Sequence, residues 1–283
     1  MTYIIYTAIS SVFLALYDLF KKISLKGKKD VYGVLFFFCL IAFLCSTFFI
    51  GGAFGINFKY IMFILLKSMI IALSWFLTTK AMSKLDMSIV VPFTLLGTVT
   101  TTILASLFFK ENIGVTQITG IIIILIGLFL LSRISEKKEN FKNDYKYLLL
   151  LALAAFLSSI SAIIDKYLLI DIDRGSVLFW FFFFLTIIYF FVSLIKDKKI
   201  LIKDFTSNLW VVGIGCSIFL SDLFYYRAVS IEGGSLSIIS IVRKLSVFIG
   251  VVLASIFLKE KYFVKKILIL ILMFIGLGVI LFL

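Results

Sequence analysis

The chain has 283 residues, of which 63% are hydrophobic and 15% are charged, with a mean hydropathy of +1.19 and a net charge of +13. Soluble domains average about 45–50% apolar and about 25% charged residues, so this composition indicates an integral membrane protein. The sequence contains no histidine, which excludes Ser-His-Asp catalysis, a histidine proton relay and the usual zinc sites.

Apolar runs predict ten transmembrane helices, since a helix needs about 20 apolar residues to cross a bilayer. The first run has no basic residue before it and no small-residue cleavage site after it, so we interpret it as a retained helix and not as a signal peptide. The predicted spans lie near 3–20, 31–50, 60–80, 88–108, 115–132, 147–168, 177–195, 209–229, 235–258 and 266–283.

The chain is duplicated internally. The heptapeptide ASLFFKE at 105–111 returns as ASIFLKE at 254–260, and glycines follow at the same 149-residue offset, at Gly127 and Gly276. Shorter traces agree, because Asp18 near the end of the first helix corresponds to Asp165 near the end of the sixth. The sequence therefore predicts an all-α membrane protein made of two five-helix repeats. The predicted units are a first repeat over 1–132, a cytoplasmic linker over 133–146 and a second repeat over 147–283.

Loop charges predict the orientation. One set of alternating loops holds nineteen lysines and arginines and the opposite set holds three. Cytoplasmic loops carry the excess of positive charge, so both termini are predicted to face outward. Five helices per repeat is an odd number, so the second repeat enters the membrane from the other side and the repeats are predicted to be inverted. Because the basic residues follow this topology, nucleic acid is not an expected partner.

Three features together resemble the EamA-type branch of the drug/metabolite transporter superfamily: Pro92 in the fourth helix, the Lys-Glu pair after helices four and nine, and the glycines of helices five and ten. Lys21 and Lys166 also match. The resemblance covers nearly the whole chain and implies a multi-pass protein of the cell membrane that exports, or less often takes up, small metabolites such as amino acids, amines or drugs. Studied relatives often have cytoplasmic termini, whereas the charge pattern here places both termini outside.

Ionisable residues within membrane spans indicate function, because each costs at least about 2.5–3.5 kcal/mol on insertion scales. At about 1.5 Å per helical residue, Lys67 and Asp222 lie about 10 Å, and Arg243 about 12 Å, from the outer ends of their helices. Their shared depth predicts that Asp222 and Arg243 meet. Neighbours in a helix point about 100° apart, so we expect Arg243, and not Lys244, in the cavity. A structural ion pair or snorkelling is the alternative, especially for Lys67 and Arg227.

Aromatic residues near these charges complete the predicted substrate-binding or coupling site. Trp75 aligns with Asp222 at an offset of 147 residues, and Tyr225 and Tyr226 follow one turn later. Tyrosine and tryptophan can line a pathway and also supply a hydrogen-bonding group. The predicted site residues are Asp222, Arg243, Lys67, Trp75, Tyr225 and Tyr226.

Other residues have plainer interpretations. The repeated Lys-Glu pairs are expected to cap helix ends, and the three cysteines are expected to be small buried side chains. Threonines in the fourth helix either bridge helices or mark a mobile region beyond Pro92. Four glycines are assigned to close helix packing: Gly120, Gly127, Gly276 and Gly278.

The most favoured function is a secondary transporter for a small solute, surrounded by membrane lipid. There is no Walker A sequence, so ATP does not energise the chain directly, and no cofactor or metal is expected. Coupling to protons or exchange would use Asp222, Asp165 or Asp18. One alternative is a flippase for a lipid-linked sugar or other anionic amphiphile. Another is an intramembrane lipid-modifying enzyme, which isolated acids without histidine disfavour. The sequence leaves the substrate and the oligomeric state open.

Overall fold

The computed structural model describes residues 2–25, 31–109, 114–135, 141–196, 209–231, 236–259 and 263–282. These residues form helices and short connections, with one 3₁₀ turn at Thr47–Phe49. The α-helices in chain order are α1 (Thr2–Ser24), α2 (Val31–Ser46), α3 (Ile50–Ala53), α4 (Phe58–Met82), α5 (Met87–Phe93), α6 (Leu95–Phe109), α7 (Val115–Ser135), α8 (Phe141–Asp171), α9 (Arg174–Lys196), α10 (Trp210–Val229), α11 (Leu236–Arg243), α12 (Leu245–Leu258) and α13 (Phe263–Phe282).

Eight helical segments in the described part of the chain are long and apolar enough to cross a membrane. They correspond to predicted spans one to four and six to nine. The fifth predicted span lies in α7, whose apolar stretch Ile118–Leu131 is shorter, and the tenth lies in α13. The all-α membrane class is therefore confirmed, and ten crossings remain a prediction.

Two spans that were predicted as continuous helices are broken near their middle. The span 88–108 divides into α5 and α6 at Thr94, and the span 235–258 divides into α11 and α12 at Lys244. At each break, the backbone N–H of the turn residue, Thr94 or Lys244, donates to the carbonyl three residues earlier. Its own carbonyl accepts from the N–H three residues later, and all four distances are 2.9–3.0 Å. Pro92 lacks a backbone N–H and so weakens the first helix just before its break. It is the only proline in the chain, so the second break has no such local cause.

The two broken helices pack against each other crosswise. The segment α5, before the first break, packs on α12, after the second break, and α6 likewise packs on α11. The broken helices therefore run antiparallel with their breaks side by side. The Lys244 ammonium confirms this contact, because it donates a hydrogen bond of 2.8 Å to the Thr94 carbonyl.

Most of the larger contacts between helices have a counterpart, which is found by replacing each helix with the equivalent helix of the other half. The packing of α1 on α10 corresponds to that of α8 on α4, and α2 on α10 corresponds to α9 on α4. The pair α6 and α8 likewise corresponds to α12 and α1. Two further pairs, α2 with α9 and α7 with α13, join counterparts directly. Each half consequently contributes matching walls to the centre of the bundle.

Glycines permit the close approach of α7 and α13, as predicted for three of the four. A Cβ atom on Gly276 would lie 2.9 Å from the Gly120 carbonyl oxygen, and one on Gly127 would lie 2.2 Å from the Met273 side chain. A Cβ atom on Gly278 would meet no described atom within 4 Å. The packing assignment of Gly278 was therefore wrong, because that glycine does not face the helix contact.

Of the two repeated Lys-Glu pairs, only Lys259 lies within the described residues. Lys110, Glu111 and Glu260 lie outside the described residues, while Lys259 ends α12 in a left-handed conformation with φ of 53°. The cysteines are free; Cys39 is buried, whereas Cys45 and Cys216 are only half-buried.

Candidate functional site

A cavity of about 210 Å³ lies at the centre of the bundle, between the two halves. Its walls come from α1, α4, α6, α8, α9, α10 and α12, together with the residues at both helix breaks. All of the predicted site residues line it: Asp222, Arg243, Lys67, Trp75, Tyr225 and Tyr226. Their common location is thus a feature of the structure, while their role in binding or coupling remains a prediction.

Asp222 and Arg243 form an ion pair, as their shared depth predicted. The Nη2 atom of Arg243 donates to the Asp222 carboxylate at 2.7 Å and to the Ser221 hydroxyl at 3.3 Å. The guanidinium also lies 4.1 Å from the centre of the Tyr225 ring, a cation–π contact. Ser10 of α1 donates to the Ser221 carbonyl at 2.8 Å. The pair belongs to the second half, but it is held against the first helix of the chain.

Lys67 is paired with a carboxylate that sequence reasoning did not assign to it. Its ammonium lies 2.5 Å from an Asp165 carboxylate oxygen and donates to the Tyr226 hydroxyl. It also sits 3.9 Å from the centre of the Phe181 ring. Lys67 is only 1% exposed, so it does not snorkel to the interface. Arg227 does match that alternative, because it is exposed and stacks over Tyr6 at 4.7 Å.

A second cluster of the same composition surrounds Asp18. The Lys21 ammonium lies 3.6 Å from the Asp18 carboxylate and donates to the Tyr17 hydroxyl at 2.9 Å. The cavity therefore contains two Asp–Lys–Tyr clusters, Asp18–Lys21–Tyr17 and Asp165–Lys67–Tyr226. The offset of 147 residues between Asp18 and Asp165 was the signal that could have revealed them. The lysines give no such signal, because they do not occupy matching positions.

Both Arg243 and Lys244 line the cavity, contrary to the prediction that only Arg243 would. That prediction assumed a continuous helix, in which neighbours diverge. The chain instead turns at Lys244, between α11 and α12. The long Lys244 side chain reaches the cavity wall at Thr94, where its ammonium donates to the backbone carbonyl at 2.8 Å.

Aromatic rings connect the two Asp–Lys–Tyr clusters. The ring centre of Trp75 lies 6.1 Å from that of Tyr17 and 6.1 Å from that of Phe181. Tyr17 belongs to one cluster and Phe181 contacts the other. Aromatic surfaces thus form an apolar wall between two polar ends.

Hydroxyl groups at and near the cavity join α4 and α6 to α8. Ser74 of α4 bonds to the Ala154 carbonyl and to the Ser158 hydroxyl of α8, both at 2.8 Å. Thr100 bonds to Ser159, also of α8. These contacts favour the helix-bridging interpretation of the threonines and keep polar groups paired inside the membrane.

The described residues include no cluster of three or more acidic, cysteine or histidine side chains that could hold a metal ion. The groups that line the cavity are ammonium, guanidinium, carboxylate, hydroxyl and aromatic side chains, all of which can bind a solute reversibly.

Comparison with known proteins identifies the class. The model of the EamA-like transporter family matches residues 1–133 and again residues 145–282. The chain belongs to the EamA-like transporter family, which confirms the resemblance noted from its residues. It is thus a multi-pass membrane protein.

Structural comparison agrees on the fold. Among 25 chains of known structure that match, one crystal structure superposes with a TM-score of 0.69 at 12% sequence identity, covering 97% of this chain and 95% of that chain. At this identity the likeness concerns the fold alone. Comparison with curated proteins gave no significant match.

Proposed function

We propose that the protein is a secondary transporter that exports a small metabolite across the cell membrane by alternating access through the central cavity. The observation that carries the proposal is the placement of paired intramembrane charges around one cavity between two matching halves. Ionisable groups are costly inside a membrane and typically mark solute or ion pathways. The family supports the transport class.

Inverted repeats are part of this proposal. Their support is the exchange symmetry of the helix pairs and the antiparallel packing of the two broken helices. Transporters of this design bind solutes near the bilayer midplane, at the repeat interface and beside discontinuous helices. The Lys244–Thr94 contact between the two breaks lies on the wall of the cavity, which supports this design for the present chain.

The two Asp–Lys–Tyr clusters lie at different levels of the cavity wall, on either side of the Trp75 ring. Lys21 adjoins Lys22, which donates to the Met82 carbonyl at the last turn of α4. Lys67 lies fifteen residues earlier on α4, which is roughly 22 Å along a helix. Opening the Lys67–Asp165 pair would separate α4 from α8 at that level of the cavity, whereas the Asp18–Lys21 pair lies within α1 and joins no second helix.

The two clusters differ in the helices that their ion pairs join. The ion pair Lys67–Asp165 joins α4 to α8, and so joins the two halves of the chain. Asp18 and Lys21 both belong to α1. A movement of one half against the other therefore breaks the first pair and leaves the second intact.

The size of the cavity favours a small solute over a lipid-linked sugar. Its volume of about 210 Å³ is below the approximately 300–1,000 Å³ typical of pockets for drug-sized ligands. An intramembrane lipid-modifying enzyme has less support, because each carboxylate in the cavity is occupied by a cation.

Orientation and direction complete the proposal. The loop charges place both termini outside, although Lys21 and Lys266, counted among the nineteen, are buried. The remaining excess still favours the same orientation. Membrane lipid surrounds the bundle, and the solute is the partner that enters the cavity.

The test is metabolomics of growth medium from cells that express the wild-type protein, Arg243→Gln or a matched control. Arg227→Gln is the control, because Arg227 is exposed on α10. We expect a metabolite to accumulate outside cells that express the wild type and the control, and not outside cells that express Arg243→Gln at equal membrane abundance. Equal medium profiles for all three and for empty cells would contradict the export proposal.

A further inference from the structure

The charges of the cavity do not balance. Four cations and three carboxylates line it. Three of the cations have a carboxylate partner: Lys21 with Asp18, Lys67 with Asp165, and Arg243 with Asp222. With every group ionised, the cavity therefore carries one excess positive charge.

Lys244 is the cation that supplies the excess. In the described part of the chain, no ion pair includes Lys244, and its ammonium donates to the Thr94 carbonyl at 2.8 Å. An ammonium has three donor hydrogens, so one neutral carbonyl leaves donor capacity unused. Lys244 is half-buried, and a charge removed from water is costly unless it is paired and hydrogen-bonded. An anion in the cavity would supply the charged partner that Lys244 lacks among the described residues.

The surroundings of Lys244 suit an anionic oxygen. The ammonium lies beside bare backbone, because a Cβ atom on Gly97 would lie only 3.9 Å from it. Hydroxyl groups also line the cavity, among them Ser158, Ser161 and Ser246. The aromatic wall around Trp75 and Phe181 gives the remainder of a solute an apolar surface.

We propose that Lys244 binds a carboxylate of the transported solute, which makes the substrate a small carboxylate-bearing metabolite. The inference rests on the proposed transport function. A carboxylate neutralises the single excess charge, and a solute of this kind fits a cavity of about 210 Å³. Lys244 is thus the residue that determines specificity for an acid over the corresponding amide or amine.

The experiment uses the full-length protein in proteoliposomes and a mixed panel of small carboxylic acids, amino acids, their amides and the matching amines. Mass spectrometry measures which solutes enter. We expect the acids or amino acids to enter and the amides and amines to be excluded. Because a hydrogen bond to a charged group contributes about 1.5–3 kcal/mol, Lys244→Met should reduce entry of the acids by at least about tenfold.

Two further variants keep the test decisive. Lys244→Arg retains the positive charge and should retain the preference for acids, and Lys59→Met is the control, because Lys59 is exposed at the start of α4. If Lys244→Met does not fold, the preference for acids over amides and amines is still measured for the wild type and for Lys244→Arg. That preference tests the proposal without the methionine variant.

Entry of amides or amines as readily as acids would overturn this inference and leave transport intact. Normal acid transport by folded Lys244→Met would also overturn it. Entry of no solute at all would contradict the transport proposal itself.

Discussion

Lys67 and Asp165 form a buried ion pair between the two halves of the protein, with the ammonium 2.5 Å from a carboxylate oxygen. Lys67 lies on α4 and Asp165 on α8, and both side chains are almost wholly inaccessible. Tyr226, from α10, accepts a hydrogen bond from the same ammonium. Side chains from α4, α8 and α10 therefore meet at the Lys67 ammonium.

Removal of one member of this pair should destabilise the fold. Lys67→Met or Asp165→Asn leaves a buried charge without its partner, which typically costs about 3–5 kcal/mol. We expect a clear fall in melting temperature in detergent and loss of transport for either variant. Lys59→Met on the same helix is the control and should melt like the wild type.

The double variant Lys67→Met/Asp165→Leu separates stability from function. Replacement of a buried ion pair by apolar residues of similar volume is often neutral or stabilising, so the melting temperature should recover while transport does not. Normal transport by the double variant would show that the pair only holds the fold together.

Asp222→Asn should impair transport and should destabilise the fold less than Asp165→Asn does, because the Arg243 side chain that loses its partner is 21% exposed, against 2% for Lys67. The change weakens a charge-assisted hydrogen bond of 2.7 Å to Arg243, and such bonds contribute about 1.5–3 kcal/mol, or roughly 10- to 150-fold in rate or affinity. Solute flux and melting temperature should be measured together.

Asp173→Asn is the matched control for Asp222→Asn. The Asp173 carboxylate accepts a hydrogen bond of 2.8 Å from the Gly175 N–H at the start of α9, and asparagine caps a helix about equally well. A loss of flux as large in the control as in Asp222→Asn would show that the effect is not specific to the cavity.

Gly276→Ala should lower the melting temperature, whereas Gly278→Ala should leave it unchanged or raise it. A Cβ atom at Gly276 would press on backbone, 2.9 Å from the Gly120 carbonyl oxygen, and such overpacking typically costs about 1–3 kcal/mol. At Gly278 the space is open, and alanine favours a helix by roughly 0.5–1 kcal/mol over glycine. The reverse order of melting temperatures would refute the assigned packing of α7 on α13.

The orientation can be tested by labelling single cysteines in a variant that carries Cys39→Ala, Cys45→Ala and Cys216→Ala. A cysteine at Lys138→Cys, in the central linker and outside the described residues, should react with impermeant reagent only from the cytoplasmic side. A cysteine at Asp173→Cys should react from outside intact cells. The opposite pattern would invert the topology predicted from loop charge.

Much of the fold followed from local sequence properties. Hydrophobic runs locate helices, because the length needed to cross a bilayer does not depend on tertiary contacts. The duplicated heptapeptide indicated two related halves, and the depth of Asp222 and Arg243 predicted their pairing. Distance along a helix axis can be counted from the sequence, since each residue rises by a constant amount.

The rotation of each helix and its lateral neighbours are set only by tertiary packing. For this reason the sequence identified Lys67 as an intramembrane charge but did not assign Asp165 as its partner. The break at Lys244 was also invisible, because no proline or glycine adjoins it and its hydrogen bond goes to Thr94, on a distant part of the chain. Composition and periodicity thus determined a duplicated membrane bundle with charges at its centre. The tertiary structure decided which charges are paired and which one has no carboxylate partner among the described residues, because that depends on distances between helices that no local pattern encodes.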